Sequence, residues 1–214
     1  MLIFEQKYDA IILDFDGTLI DSNEIKAQGF GKLFQDYGSS ISDRVMAYHR
    51  EYVGYSRFYK FKYIYRNILG IKYTNDIGIQ LSKKYTEIIL KDIINTPLFP
   101  KTLDFLKFYH KIILIFIASA TPEYELKMII KQLNLDLYFE GIYGSPRNKI
   151  ELIDIILTKH NLVKNRVLMV GDSMSDYAGA MKNNIPFIGF KFDDNLSKIN
   201  RITSINSIFE LTDY

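Results

Sequence analysis

The sequence of 214 residues contains no cysteine. Neither a disulfide framework nor a thiolate metal site can therefore form, and a cytoplasmic location fits this composition. Long apolar runs are also missing, since the longest, 112–118, is far shorter than the roughly 20 residues that cross a bilayer. The N-terminus shows no basic segment followed by an apolar one, as a signal peptide would have. We therefore expect neither export nor contact with a membrane.

Charge of one sign is not in excess either. The 27 basic and 25 acidic residues leave a net charge of only +2, and no block of lysine and arginine reaches the density of a nucleic-acid tail. This balance favours a small-molecule substrate over nucleic acid. The apolar share of 48% and the charged share of 24% are ordinary for a globular chain, which predicts a compact fold.

Short apolar runs that end in polar or glycine-containing turns recur along the chain and read as buried strands. The segments between the later runs have helical spacing. Strands alternating with helices predict an α/β fold, a Rossmann-like open parallel sheet with helices on both faces. The predicted strands are 8–13, 112–118, 141–143, 167–170 and 187–190, and the predicted helices are 122–133, 148–160 and 175–183.

The segment 22–94 has a different texture, because charged residues there interleave with tyrosine, phenylalanine, isoleucine and leucine at spacings of three and four. We predict an all-helical cap inserted after the first strand, with 1–21 and 95–214 forming the core. Pro97 and Pro100 mark the return to the core. In open α/β sheets ligands bind beyond the carboxyl ends of the strands, so the chemistry is expected at that edge.

Polar groups follow four of the predicted strands at this edge. They are Asp14-Phe15-Asp16-Gly17-Thr18 after the first strand, Ser119 after the second, Lys149 at the start of the helix after the third, and Gly171-Asp172-Ser173 with Asp176 after the fourth. A calcium-binding EF-hand loop starting at Asp14 is excluded. That loop needs glycine at its sixth position and an acidic residue at its twelfth, where this chain has Leu19 and Ile25.

This set resembles the four motifs of the haloacid dehalogenase-like (HAD) superfamily, in the same order and over the whole core. The position of the helical insert is similar to that of the cap in the phosphoglycolate phosphatase and beta-phosphoglucomutase branch. The resemblance implies a phosphoric monoester hydrolase. An aspartate at position 16, two residues after the nucleophile, favours phosphatases and phosphomutases over dehalogenases and transport ATPases.

Chemistry assigns roles to the first two aspartates. A carboxylate with an ordinary pKa near 4 is ionised at neutral pH, so Asp14 can attack phosphorus and form an aspartyl-phosphate. Asp16 would protonate the leaving oxygen and then accept a proton from the hydrolytic water. For the first step Asp16 must start protonated, and we expect the crowding of carboxylates to raise its pKa.

The expected cofactor is Mg²⁺, which prefers hard oxygen ligands. Its predicted ligands are the Asp14 carboxylate, the Asp16 main-chain carbonyl and Asp172. The resemblance further implies that Asp176 steadies a metal-bound water, that Ser119 donates to a phosphoryl oxygen, and that Lys149 holds nucleophile and phosphate together.

Alternatives stay open at several of these positions. Ser119 and Ser173 could cap helices, and Asp172 and Asp176 could belong to a solvated helix start. Arg147 competes with Lys149, although the helical pattern begins directly after Lys149.

In the predicted cap, the segment 53–58 resembles the G-x-S-R stretch of beta-phosphoglucomutase-like caps. This suggests that Arg57 grips a second anionic group of the substrate with two hydrogen bonds. Alternatively, Arg57 and Lys60 line a solvated helix face. Tyrosines at every third or fourth position suggest a core stripe of the cap, and no role is assigned to the three histidines. The stripe comprises Tyr48, Tyr52, Tyr55 and Tyr59, and the histidines are His49, His110 and His160.

The sequence thus predicts a magnesium-dependent phosphatase that acts on a small phosphorylated metabolite. A phosphomutase is the nearest alternative, and a non-catalytic protein that binds a phosphorylated ligand is a third. The oligomeric state is not predicted.

Overall fold

A computed structural model describes residues 7–191, 199 and 202–213. Its centre is a six-stranded parallel sheet with the order β3-β2-β1-β4-β5-β6. The first strand of the chain therefore lies in the middle, between β2 and β4. The strands are β1 (Ala10–Leu13), β2 (Leu114–Pro122), β3 (Gly141–Ser145), β4 (Val167–Gly171), β5 (Phe187–Phe190) and β6 (Ser204–Ile205).

The described residues contain eight α-helices, and the first four form the helical insert that follows β1. The four are α1 (Asn23–Leu33), α2 (Ser39–Glu51), α3 (Arg57–Tyr63) and α4 (Asn75–Asn95), and a π-helical turn, Ile64–Ile68, follows α3. The other four accompany the sheet: α5 (Thr102–Tyr109), α6 (Glu123–Gln132), α7 (Lys149–Lys159) and α8 (Met174–Asn183). We refer to α1–α4 as the cap.

Both faces of the sheet are buried, as the apolar character of the strands requires. Along β1 the side chains alternate between the two apolar clusters of the protein. Ile11 and Leu13 join the cluster that extends into the cap, whereas Ala10 and Ile12 join the one under α7. Within the cap, aromatic contacts join the helices to one another, such as Phe30 of α1 with Tyr85 of α4 at 4.5 Å between ring centroids.

The fold class is confirmed: an α/β parallel sheet carries an all-helical insert after its first strand. The exact boundaries of core and cap stay a prediction. Two elements were missed, β6 and α5, because they have only two and eight residues and are too short for a repeating pattern to stand out. β2 also runs past Ala118 to Pro122, with a register shift between Ser119 and Pro122. In the part of the chain that the structure describes, every helix is too short or too polar to cross a membrane.

The predicted tyrosine stripe of the cap is wrong in part. Tyr48 is buried, but Tyr55 and Tyr59 are 43% and 50% exposed. The reason is that α2 ends at Glu51 and α3 begins at Arg57, so the four tyrosines do not share one helix face.

Candidate active site

The strand ends meet because β1 is paired on both sides. Leu13 aligns with Ile117 of β2 and with Val170 of β4, so the residues that follow these three positions lie side by side at the carboxyl edge of the sheet. The Asp14 N–H donates to the Val170 carbonyl at 3.0 Å, which fixes the start of the loop. Asp14, Ser119 and Asp172 are all buried at this edge.

Gly17 allows the loop after β1 to fold tightly against β4. Its φ of +78° lies in the region that favours glycine. A Cβ atom there would lie only 2.0 Å from Asp172 Oδ2. The glycine of the motif is thus required for the close approach of the two aspartate-bearing loops.

Lys149 reaches the site from the first turn of α7. Asn148 caps this helix, and its side chain and that of Glu151 each accept a hydrogen bond from the other residue's N–H. The Lys149 ammonium group lies 2.8 Å from Asp14 Oδ1 and also contacts Asp176 Oδ1. Arg147, the alternative to Lys149, is exposed.

Asp176 has a second structural task at the start of α8. Its Oδ2 accepts from the Ser173 hydroxyl at 2.6 Å and from the Ser173 N–H at 3.1 Å, which makes Ser173 the helix cap. Its other oxygen faces Lys149. Asp176 is fully buried, so it does not form a solvated helix start.

Three carboxylates converge where a cation could be held. Asp14, Asp172 and Asp176 each offer an oxygen within 4.8 Å of the others. Asn23 donates to Asp172 Oδ2 at 2.8 Å, while Asp172 Oδ1 is buried without a hydrogen-bond partner. A buried carboxylate oxygen that lacks a donor is costly unless a cation or water satisfies it. An all-oxygen set of this kind fits Mg²⁺.

Burial strongly affects two of these carboxyl groups. It raises the pKa of Asp14 to about 7; the charge of Asp176 adds to the effect, Lys149 opposes it, and Asp16 adds a smaller increase. Burial also raises the pKa of Asp172 well above its ordinary value, again with help from Asp14 and Asp176. In the metal-free site the pKa of Asp14 thus lies far above the ordinary value near 4, so the expectation that Asp14 is fully ionised at neutral pH is wrong for that site.

Asp16 shows the opposite shift, so the expectation that crowding raises its pKa is also wrong. Burial is the largest single influence and raises the pKa of Asp16, but the Lys26 ammonium group in direct contact and the hydroxyl groups that donate to Asp16 together lower the pKa below the ordinary value. Ser22 donates to Oδ1 at 2.7 Å and Thr121 donates to Oδ2 at 2.8 Å, in the same direction. Ser119 donates more weakly, at 3.4 Å.

The sequence reasoning missed the groups that surround Asp16 and Asp172: Ser22, Asn23, Lys26 and Thr121. Three of them could have been found from spacing. Ser22 directly precedes α1 and Lys26 follows it by one helical turn, so both face the same side. Thr121 comes two residues after Ser119 on β2, the spacing that returns a strand to the same face.

Arg57 lies on the cavity above the strand ends, but its guanidinium group is engaged by the core. Nη1 and Nη2 donate to Oε2 and Oε1 of Glu125 on α6 at 2.9 and 2.6 Å. Nη1 also donates to Thr86 Oγ1 at 2.8 Å. Both partners of the ion pair are buried, so the alternative of a solvated helix face does not apply to Arg57. Its predicted contact with the substrate stays a prediction.

A cavity of about 40 Å³ lies between cap and core. Asp14, Asp16 and Ser119 form its core side. Its cap side includes two groups to which sequence reasoning gave no role, Lys60 and His49. The other two histidines lie elsewhere: His110 contacts the Leu106 carbonyl, and His160 contacts the Tyr143 hydroxyl.

Comparison with known proteins identifies the family. Residues 11–190 match the family model described as haloacid dehalogenase-like hydrolase. The chain is 23% identical over 184 residues to the phosphorylated carbohydrates phosphatase of Thermotoga maritima, covering 80% of each chain. It is 32% identical over 80 residues to a 5'-nucleotidase of Pseudomonas aeruginosa, a match that covers 35% of this chain but only 36% of that protein.

Among solved structures, the crystal structure of a predicted phosphatase from Clostridium acetobutylicum has the same fold. The TM-score is 0.78 at 22% identity, with 96% of this chain and 97% of that chain covered.

The chain belongs to the haloacid dehalogenase-like hydrolase family. This confirms the resemblance read from the strand-end motifs. The expected enzyme class, a phosphoric monoester hydrolase, is confirmed by the same comparisons.

Proposed function

We propose that the protein is a magnesium-dependent phosphatase that hydrolyses a small phosphorylated metabolite through a phosphoryl group carried on Asp14. The observation that carries the proposal is the placement of Asp14. Its carboxylate lies at the floor of the cavity, with Lys149 at 2.8 Å on one side and the unsatisfied Asp172 oxygen nearby.

Asp14, Asp172 and the main-chain carbonyl of Asp16 would hold the cation, as predicted, and Asp176 lies close enough to contribute directly or through water. Bound Mg²⁺ would supply positive charge that keeps these carboxylates ionised and neutralises a phosphoryl oxygen. The raised pKa of Asp14 and of Asp172 indicates that such a charge would stabilise their ionised forms.

Asp14 attacks phosphorus and the bond to the leaving oxygen breaks, which leaves an aspartyl-phosphate. Ser119 and Lys149 flank this position and would donate to the phosphoryl oxygens, where negative charge is spread during transfer. Ser119 is oriented by the Thr121 N–H, which donates to its hydroxyl at 3.1 Å.

Asp16 moves the proton. Its carboxyl group is ionised while Lys26 contacts it, which suits the second step, in which it accepts a proton from the attacking water. For the first step it must deliver a proton to the leaving oxygen. A bound dianionic phosphate raises the pKa of a neighbouring carboxyl group, so substrate binding itself favours the protonated form of Asp16.

A panel of phosphate esters tests this function, with phosphate release measured in Mg²⁺ and in EDTA. We expect release that requires Mg²⁺ and that falls at least about 10³-fold in Asp14→Asn, because the nucleophile is lost. Asp154→Asn is the matched control, since Asp154 is an exposed aspartate on α7, and it should leave the rate unchanged. Conversion of a bisphosphate to its isomer without release of phosphate would instead identify a phosphomutase.

A further inference from the structure

The cavity contains one buried cation that no carboxylate neutralises. Within residues 7–191 and 202–213, Lys60 is 2% exposed and takes part in no ion pair. The two other cap cations of the cavity are both paired, Lys26 with Asp16 and Arg57 with Glu125. Lys60 therefore differs from these two neighbours because no carboxylate of the described residues offsets its positive charge.

The partner that Lys60 does have is a neutral ring. His49 Nδ1 lies 3.2 Å from the Lys60 ammonium nitrogen. Burial, together with the charge of Lys60, lowers the pKa of His49 well below its ordinary value, so the ring is neutral and Nδ1 accepts a hydrogen bond. An ammonium group carries three donors, which leaves two on Lys60 for other partners.

The surroundings also make the ammonium form of Lys60 costly. The Phe30 ring, 5.7 Å from its nitrogen, offers only a weak cation–π attraction. Burial lowers the pKa of Lys60 to about 7; Lys26 and Arg57 act in the same direction, and Asp16 opposes them. A buried cation in this position is stabilised when an anion enters the cavity and accepts its hydrogen bonds.

We propose that Lys60, oriented by His49, binds a second anionic group of the substrate, a carboxylate or a non-reacting phosphate, while the reacting phosphate faces Asp14. The inference rests on the proposed phosphatase function, because it assigns the other end of the same substrate. It narrows the substrate class to phosphate esters that carry a further negative charge.

Lys60 is better suited to this contact than Arg57. The two outer nitrogens of Arg57 already donate to the two oxygens of Glu125, so an anion at Arg57 has to displace a buried carboxylate. An anion that binds Lys60 displaces no carboxylate. Lys60 also lines the same cavity as Asp14 and Asp16, as a single small molecule that bridges both ends requires.

Matched pairs of esters test the inference. One pair is phosphoglycolate and 2-hydroxyethyl phosphate; the other is propane-1,3-diol bisphosphate and 3-hydroxypropyl phosphate. The measured quantity is the ratio of kcat/KM within each pair, and comparison of the two pairs distinguishes a carboxylate from a phosphate. In at least one pair, we expect the wild type to have a higher kcat/KM for the ester that carries the second anion. The ratio of the two kcat/KM values should fall about 10- to 100-fold in Lys60→Met.

Three variants complete the test. Lys60→Arg keeps the charge and should restore part of the ratio. Lys62→Met removes an exposed lysine of the same helix and should leave the ratio unchanged. In the double variant Arg57→Met/Glu125→Met the buried ion pair is replaced by apolar groups, and the ratio should survive. Loss of the ratio in the double variant but not in Lys60→Met would overturn the proposal in favour of Arg57.

Binding separates this inference from the function on which it rests. By calorimetry, 3-phosphonopropionate should bind the wild type more tightly than 3-hydroxypropylphosphonate, and Lys60→Met should lose the difference. Equal binding of both phosphonates, or a difference that Lys60→Met keeps, overturns the assignment of Lys60. Absence of turnover with every ester, together with a Lys60-dependent difference in binding, would refute the phosphatase function and leave the anion site standing.

Discussion

The ammonium group of Lys26 on α1 of the cap contacts the carboxylate of Asp16 in the core. Lys26 also donates to Thr121 Oγ1 at 2.7 Å, and Thr121 in turn donates to Asp16 at 2.8 Å. The protonation state of the residue assigned to proton transfer is thus set by a residue of the cap. Cap position and proton transfer are thereby linked.

Lys26→Met should shift the pH dependence of turnover. Lys26 holds the pKa of Asp16 below its ordinary value, so its removal lets burial raise that pKa. The limb of the pH–rate profile that reports ionisation of Asp16 should therefore move to higher pH. Lys32→Met, which changes an exposed lysine of the same helix, is the control. An active Lys26→Met enzyme with an unshifted profile would contradict the link.

Gly54→Ala should impair closure of the cap. Gly54 has a φ of +85°, and a Cβ atom there would lie 2.3 Å from Ser175 Oγ and 2.4 Å from Ser173 Oγ at the start of α8. We expect kcat/KM to fall about tenfold or more, because the added methyl group would hold the cap away from the core and keep the site from closing. Gly70→Ala is the matched control, since its φ of +69° carries the same backbone strain but its Cβ meets nothing within 4 Å. Equal effects of both variants would show that strain alone is responsible.

Lys60→Met should stabilise the protein near pH 7. Because the pKa of Lys60 is lowered to about 7, the unfolded chain binds more protons than the folded one between pH 7 and its ordinary pKa near 10.4. The contribution of Lys60 to stability therefore rises with pH across this window, and its cost is greatest at and below pH 7. We expect Lys60→Met to raise the free energy of unfolding by about 1–3 kcal/mol at pH 7 and by less at pH 10.

Urea unfolding at the two pH values measures this effect, with Lys62→Met as control. If Lys60→Met instead destabilises the protein at pH 7, the charge of the Lys60 ammonium group is offset by other groups in the folded state. That result would contradict the absence of a neutralising partner for Lys60 among the described residues.

Arg57→Met should be more harmful alone than together with Glu125→Met. The single change leaves a buried carboxylate without its cation, which costs about 3–5 kcal/mol of stability. Replacing both partners by apolar side chains removes the uncompensated charge, so the double variant should recover most of that loss. Urea unfolding of the three proteins measures the coupling. Additive losses would mean that the pair is not coupled across cap and core.

The order of elements and most of the strand-end residues could be predicted from sequence, because each lies directly beside a strong local signal. Asp14 follows an apolar run, Lys149 opens a periodic helix, and Asp172 follows another apolar run. Contacts between distant segments carry no such signal. The pairing of Arg57 with Glu125, 68 residues away, depends on how the cap packs on α6.

The protonation states of Asp14 and Asp16 were predicted wrongly for the same reason, because they depend on contacts that leave no local signal in the sequence. Burial and neighbouring charges decide a pKa, and both depend on the folded arrangement. Lys26 lies ten positions along the chain from Asp16, in a different element, and only the cap's placement brings the two together.

The proposed mechanism requires that Asp14 carries the phosphoryl group during turnover. The most direct measurement is acid quenching of the enzyme during hydrolysis of a good ester, followed by mass spectrometry of its peptides. The proposed mechanism predicts a phosphoryl group on the peptide that contains Asp14 in the wild type and none in Asp14→Asn. Phosphate release by Asp14→Asn at the wild-type rate, or a phosphoryl group on another residue, would contradict it.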